Sequence, residues 1–254
     1  ISSIINQNEE IALGTAIGSN ISNIALIFGV SCLYLTGPSK TQLWNFVPFG
    51  LSVILLGLTL VDGKISFNES MGFVGILMIF MFVLFKTDGL AEEDSLDSSE
   101  FGHSLFISLI GLVALIAGAN IAVVYAESTA LLLGVPELII GLTIIALGTS
   151  LPELAATIVA LRKGKHQMVV GNIIGSNVFN LVFIIPMIGL FGSVELSPMV
   201  MQRDFYILFA LSMVFILLAV VLTKLQFRKN IFSISGVVLI ASYVLYISTL
   251  SGII

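Results

Sequence analysis

The chain has 254 residues, of which 57% are hydrophobic and 10% are charged, and its mean hydropathy is +1.13. Soluble domains carry roughly 25% charged residues, so this composition excludes a water-facing surface over most of the chain. The formal net charge is −5 without a basic face for nucleic acid, and the single cysteine, Cys32, excludes a disulfide framework.

Eight apolar runs predict eight membrane-spanning helices, because about 20 residues are needed to cross a bilayer. The runs cover approximately residues 11–36, 45–61, 71–87, 104–126, 137–162, 168–192, 204–223 and 231–250. Turn-forming residues separate them, as at Gly37 and Pro38. The sequence therefore predicts an all-α, multi-pass integral membrane protein of the cell (inner or plasma) membrane, surrounded by the lipid bilayer.

One polar segment, residues 88–103, interrupts this apolar chain. Its acidic and serine-rich composition predicts a cytoplasmic linker between two bundles of helices, residues 1–87 and 104–254. Loops on the side of the linker hold eight Lys and Arg residues, whereas loops on the other side hold only Lys64 and Arg203. This bias places the linker side in the cytoplasm.

A short polar motif occurs twice: residues 14–20 read GTAIGSN and residues 171–177 read GNIIGSN, an offset of 175 − 18 = 157. Because the two helices are the first and the sixth predicted spans, the copies run antiparallel as an inverted repeat. Polar residues spaced by four share one helix face in each copy and must face protein, water or a ligand. They are Thr15, Ser19 and Asn23, and Asn172, Ser176 and Asn180. The motif's glycines are also typical of close helix packing.

The predicted helix 137–162 contains ALGTSLPE at residues 146–153. Pro152 lacks a backbone N–H and crowds the carbonyl of Gly148, so the helix should open at this point. Thr149, Ser150 and Glu153 then supply oxygen atoms of the kind that bind hard cations such as Ca²⁺ and Na⁺. A carboxylate at mid-membrane costs about 2.5 to 3.5 kcal/mol, which predicts ion coordination or proton coupling.

The segment GVPELIIGLTIIALGTSLPEL (134–154) followed by GNIIGSN resembles the second α-repeat of sodium/calcium exchangers, in the cation/calcium antiporter superfamily. The resemblance is most specific at residues 14–29 and 134–190. It implies ten helices in two inverted halves, with a midplane site that faces each side alternately. Eight would be present here: helices 3–5 in residues 1–87 and helices 6–10 in residues 104–254. The first-repeat counterpart of Glu153 would precede Ile1, which predicts an N-terminal truncation by two helices or, alternatively, a smaller exchanger that dimerises.

The resemblance also implies roles for individual residues. Glu153 and Thr149 look like Ca²⁺ ligands, and Asn23 and Asn180 would line the central position. The residues that look like Na⁺ ligands are Ala146 (through its carbonyl), Ser150, Ser176 and Ser19. Potassium-dependent relatives typically carry Asp at the place of Asn180, so the asparagine argues against K⁺ cotransport.

The predicted function is a secondary antiporter that exchanges one Ca²⁺ for several Na⁺ by alternating access, without a resident cofactor or an obligate protein partner. One alternative is a cation antiporter of the same fold that couples to H⁺ through Glu153. Another is an ion channel, which would need a continuous pore. An intramembrane enzyme is disfavoured because the chain shows no nucleophile and base set within its apolar runs.

Overall fold

The computed structural model describes residues 9–39, 41–87, 98–191, 199–224 and 228–251, which form eight helical stretches. In chain order these are α1 (Glu9–Ser22, Asn23–Phe28 and Gly29–Tyr34), α2 (Val47–Thr59), α3 (Phe67–Thr87), α4 (Ser98–Leu132), α5 (Glu137–Ile140, Gly141–Ile145, Ala146–Thr149 and Leu151–Arg162), α6 (His166–Phe179, Asn180–Ile184 and Ile185–Phe191), α7 (Val200–Phe205 and Tyr206–Lys224) and α8 (Lys229–Leu250). Residues 88–97 of the predicted linker lie outside the described residues.

Seven of the described helices are long and apolar enough to cross a membrane. The exception is α2, which has 13 residues and follows a short turn at Leu43–Phe46. The all-α prediction is confirmed, and the chain is a multi-pass integral membrane protein. Large apolar side chains such as Phe85 and Leu217 lie on the outer surface of the bundle and are exposed, as expected of residues that face lipid.

Helix α4 extends beyond its predicted bounds of 104–126 at both ends. Beyond the predicted end at 126, Ser128 and Thr129 each donate a hydrogen bond of 2.7 Å to the carbonyl four residues earlier. These internal bonds satisfy the hydroxyl groups within the helix. The chain turns only at Gly134, whose φ of 76° is a left-handed conformation that glycine adopts without steric cost.

Helix α1 lies at the centre of the bundle, and most of its side chains are buried. It packs against α5, α6, α7 and α8. Its contacts with α5 advance in the same direction along both helices, from Gly14 near Leu138 to Gly18 near Leu142. This parallel arrangement is the one that alternating spans require if the shorter α2 is also counted as a span.

Glycines allow α1 and α5 to cross closely. A Cβ placed at Gly18 would lie 2.5 Å from the carbonyl oxygen of Leu142 and 2.8 Å from the Cβ of Ala146. A Cβ at Gly141 would lie 2.7 Å from the carbonyl oxygen of Ile11. Only hydrogen fits at these positions, which confirms the packing role of the first glycine motif. The second motif differs, because a Cβ at Gly171 or Gly175 meets no described atom within 4 Å.

A widened π-helical turn begins at Asn23 in α1 and at Asn180 in α6. The offset is 180 − 23 = 157, the same as that of the sequence repeat, so the two copies share a backbone irregularity as well as a motif. In α6 the turn stands just before Pro186, which removes one helical hydrogen bond. In α1 the equivalent position is Gly29, so proline is not required for the turn. Such π turns occur frequently at functional sites.

Aromatic side chains anchor α2 and α7 to the central helix. The ring of Phe215 on α7 lies 4.8 Å from that of Phe28 on α1, in edge-to-face geometry. It also lies 5.9 Å from the ring of Phe49 on α2. Fully buried aromatic pairs of this kind contribute about 0.5–1.5 kcal/mol beyond their area burial. The face of α1 that carries the polar stripe is thereby held toward α5 and α6.

Candidate ion-binding site

The site is built around a break in α5. The helix ends at Thr149, Ser150 has φ −89° and ψ −2°, and a new helix begins at Leu151 with Pro152 in its first turn. Proline is favoured there because the first helical N–H groups have no partner within the helix. The break therefore lies where the sequence predicted it, and it brings hydroxyl groups of α5 beside α1.

Hydroxyl and carbonyl oxygens of α1 and α5 form the first cluster. The Ser19 and Thr149 hydroxyl oxygens are 2.9 Å apart, and both side chains lie within hydrogen-bonding distance of the Ala146 carbonyl, at 3.4 Å and 3.1 Å. Ser22 donates a hydrogen bond of 3.1 Å to the hydroxyl of Ser150. Four predicted ligands thus meet in one place, together with Ser22, which sequence reasoning missed.

Amide side chains connect α1 to α6. Asn23 donates from Nδ2 to the hydroxyl of Ser176 at 3.1 Å, and Asn180 donates to Oδ1 of Asn20 at 3.1 Å. Asn20 in turn donates to the backbone carbonyl of Asn177 at 3.1 Å. Residue numbers rise along α1 as they fall along α6, so these two helices are antiparallel. The inverted repeat is therefore present in the structure.

Glu153 enters the site from the second half of α5. The amide of Asn172 on α6 donates to the Glu153 backbone carbonyl and to the hydroxyl of Thr157, both at 3.1 Å, which fixes this part of α5 against α6. The Oε2 atom of the Glu153 carboxylate is buried and has no hydrogen-bond partner among the described residues. Among the described residues, none of the hydrogen bonds that join α1 to α5 and α1 to α6 above involves the Glu153 side chain.

Several acceptor oxygens in this region are buried without a donor. Within the described part of the chain, seven buried polar side-chain atoms lack a hydrogen-bond partner, and four of them belong to the motif regions. These four are Thr15 Oγ1, Asn23 Oδ1, Glu153 Oε2 and Asn177 Oδ1. A buried oxygen without a donor costs about 1–3 kcal/mol, a cost that a bound water molecule or a bound cation would remove.

The chemistry of these oxygens favours a hard cation held transiently. Among the described residues, no three His, Cys, Asp or Glu side chains come together as metal ligands. The oxygens come instead from hydroxyls, amides, one backbone carbonyl and one carboxylate. Oxygen-only sets suit Na⁺, Ca²⁺ and Mg²⁺ rather than the softer transition metals.

Comparison with known proteins gives a consistent result. The family described as "Sodium/calcium exchanger protein" matches residues 1–86 and 103–252. The inner membrane protein YrbG of Escherichia coli (strain K12) is 32% identical over 228 residues, which cover 84% of this chain and 70% of that protein. The sodium/calcium exchanger MaX1 of Methanosarcina acetivorans is 28% identical, over 98% of this chain and 83% of that protein.

A solved structure of the sodium-calcium exchanger NCX_Mj, soaked with Na⁺ and Sr²⁺, superposes with a TM-score of 0.76 at 26% identity. The alignment covers 97% of this chain and 79% of that chain. The fold of this chain is thus that of a solved membrane exchanger. With the family match extending over nearly the whole sequence, this chain belongs to the sodium/calcium exchanger family.

Proposed function

We propose that this protein is a secondary antiporter that exchanges Ca²⁺ for Na⁺ across a membrane by alternating access. The observation that carries the proposal is the set of buried, donor-free oxygens where α1, α5 and α6 meet. The family membership and the names of its relatives support the same pair of ions. Ca²⁺ and Na⁺ are substrates here, bound in turn and released on opposite sides.

The individual ligand roles in this proposal are those that the resemblance to sodium/calcium exchangers implies. Glu153 supplies one of the two negative charges that would neutralise a divalent ion, with Thr149 beside the break as a neutral partner for Ca²⁺. The Na⁺ ligands in this proposal are the Ala146 carbonyl, Ser150, Ser176 and Ser19. Asn23 and Asn180 line the centre through their amide oxygens.

Exchange requires that the ions change the balance between two conformations. A ligand shifts an equilibrium only by its differential affinity for the two states. Each hydrogen bond that joins α1 to α6 crosses the boundary between the repeats, so an ion bound there contacts both sides of the boundary. Occupied sites thereby favour the passage between inward-open and outward-open forms.

Transport in proteoliposomes tests this function directly. Vesicles loaded with Na⁺ and diluted into Na⁺-free medium with ⁴⁵Ca²⁺ should accumulate Ca²⁺, because outward Na⁺ movement drives the uptake. Vesicles with equal Na⁺ on both sides serve as the control and should show only leak. Absence of Na⁺-dependent uptake by purified, monodisperse protein would contradict the proposal.

A second candidate couples Ca²⁺ to H⁺ in the same fold. It is favoured by one observation, that Glu153 is the single protonatable carboxylate among the side chains that form the site, and its Oε2 has no hydrogen-bond partner among the described residues. An imposed pH gradient distinguishes the two functions. If Ca²⁺ uptake follows the pH gradient and ignores the Na⁺ gradient, the coupling ion is H⁺.

A further inference from the structure

Asn20 is completely buried, and both ends of its side-chain amide form hydrogen bonds with α6. Its Nδ2 donates to the backbone carbonyl of Asn177, and its Oδ1 accepts from Nδ2 of Asn180. Both bonds are 3.1 Å long. The backbone carbonyl, Asn20 and Asn180 therefore form a relay of two hydrogen bonds that runs in a single direction.

The direction of this relay is fixed by the backbone carbonyl. A carbonyl only accepts, so Asn20 must turn its NH₂ group toward Asn177 and its oxygen toward Asn180. Asn180 must then present its own NH₂ group to Asn20. The Asn180 oxygen then points away from Asn20, at the other end of the amide group, where it has no hydrogen bond to any described residue.

The two copies of the repeat use this position differently. Asn20 and Asn177 are equivalent by the offset of 157, but the Asn177 side chain turns back onto its own helix and donates to the Ile173 carbonyl at 2.7 Å. Only the first-copy asparagine bridges the helices through both ends of its amide. Asn20 is also one residue away from Ser19, next to the first cluster of oxygens.

We propose that Asn20 is a positioning residue that orients the Asn180 amide so that its oxygen, and not its nitrogen, faces the transported cation. This inference rests on the proposed function. Without the relay, the Asn180 amide can rotate by half a turn and offer hydrogen atoms to the ion. Asn20 then sets the affinity of the site without touching the ion.

The same substitution of Asn20, made with either Asn or Asp at position 180, distinguishes a role in orienting Asn180 from a role in supporting the structure. Asn20→Leu keeps nearly the same size but removes both bonds, and the loss of one oriented amide should weaken ⁴⁵Ca²⁺ binding about tenfold. In an Asn180→Asp background the carboxylate has two equivalent oxygens and needs no orientation. There, Asn20→Leu should not weaken Ca²⁺ binding, because the Asn20 oxygen faces a second acceptor and its bond to residue 180 is already lost.

Scintillation proximity binding on the purified protein measures these constants without a coupling ion. Equal weakening by Asn20→Leu in both backgrounds would overturn the proposal, since a structural role does not depend on the residue at position 180. The proposal would also be overturned if Asn20→Leu did not weaken Ca²⁺ binding in the protein that retains Asn180. If the unsubstituted protein binds no Ca²⁺, the proposed function itself fails, and the inference fails with it.

Two further variants keep the result interpretable. Asn20→Ser has a side chain too short to span both partners and should follow Asn20→Leu, so the comparison survives if the leucine variant does not fold. Ser212→Ala is the matched control. The Ser212 hydroxyl donates only to the Leu208 carbonyl of its own helix, α7, which carries none of the candidate ligands. Its Ca²⁺ affinity should equal that of the unsubstituted protein.

Discussion

At the scale of single residues, the Ser19 hydroxyl on α1 lies beside two oxygen atoms of α5. Its hydroxyl lies 2.9 Å from that of Thr149 and 3.4 Å from the Ala146 carbonyl, and only 3% of the residue is exposed. A hydroxyl donates one hydrogen and keeps lone pairs that can accept from a donor or bind a cation. Ser19 is thus poised to hold an ion together with its two neighbours on α5.

Ser19→Ala should therefore weaken Na⁺ binding more than it disturbs the fold. We expect the Na⁺ concentration for half-maximal Ca²⁺ exchange to rise roughly three- to tenfold, the effect of losing one buried oxygen ligand. Ser31→Ala on the same helix is the control, because its buried hydroxyl donates only to the Ile27 carbonyl. Flux titrated with Na⁺ measures both, and an unchanged Na⁺ dependence in Ser19→Ala would remove this residue from the ligand set.

Sequence reasoning found the residues on one face of α1 and missed those on the others. Spacing by four selects a single stripe, which contains Ser19 and Asn23 but not Asn20 or Ser22. That rule suits a helix with one protein-facing side, whereas α1 is surrounded by other helices and its polar groups point in several directions. A signal for Asn20 existed, because it is part of the repeated GSN triplet.

At the scale of helices, the crossing of α1 and α5 sets the geometry of the site. Gly18 lies one residue before Ser19, and it lets the backbones approach until the Ala146 carbonyl reaches the Ser19 hydroxyl. A wider crossing would separate these oxygens. The same contact therefore stabilises the bundle and sets the distances between the candidate ligands.

Gly18→Ala is expected to destabilise the protein. The added methyl group would sit 2.5 Å from the carbonyl oxygen of Leu142, a backbone atom that moves only with the whole helix. Overpacking of this kind costs about 1–3 kcal/mol and should lower the midpoint of thermal unfolding in detergent. Gly50→Ala, where a Cβ meets no described atom within 4 Å, should not lower it. Equal midpoints for the two variants would contradict the close crossing.

The existence and order of the helices could be predicted from the sequence, but their irregularities could be predicted only in part. Apolar runs indicate spans, and Pro152 marks the break in α5. The widened turn at Asn180 is followed by Pro186, but the turn at Asn23 has no such mark, because hydrophobic periodicity does not distinguish a π turn from an α turn. The length of α4 was underestimated because polar residues near its end bond within the helix.

At the scale of the whole molecule, the two repeats meet in antiparallel orientation along α1 and α6. The 157-residue offset relates their motifs and their π turns, and amide hydrogen bonds join them across the boundary. The candidate ion ligands lie on this boundary, where an ion can respond to the relative position of the two halves. Such an arrangement favours a transporter with alternating access over a continuous pore.

The central claim is that Glu153 binds the transported cation. Na⁺-gradient-driven ⁴⁵Ca²⁺ uptake by the Glu153→Gln variant tests it most directly, with Glu137→Gln as the control from the exposed start of the same helix. Removal of the one carboxylate charge that the described residues bring to the site should reduce uptake to the level of protein-free vesicles, while the control transports normally. Uptake by Glu153→Gln at the rate of the unsubstituted protein would contradict the account.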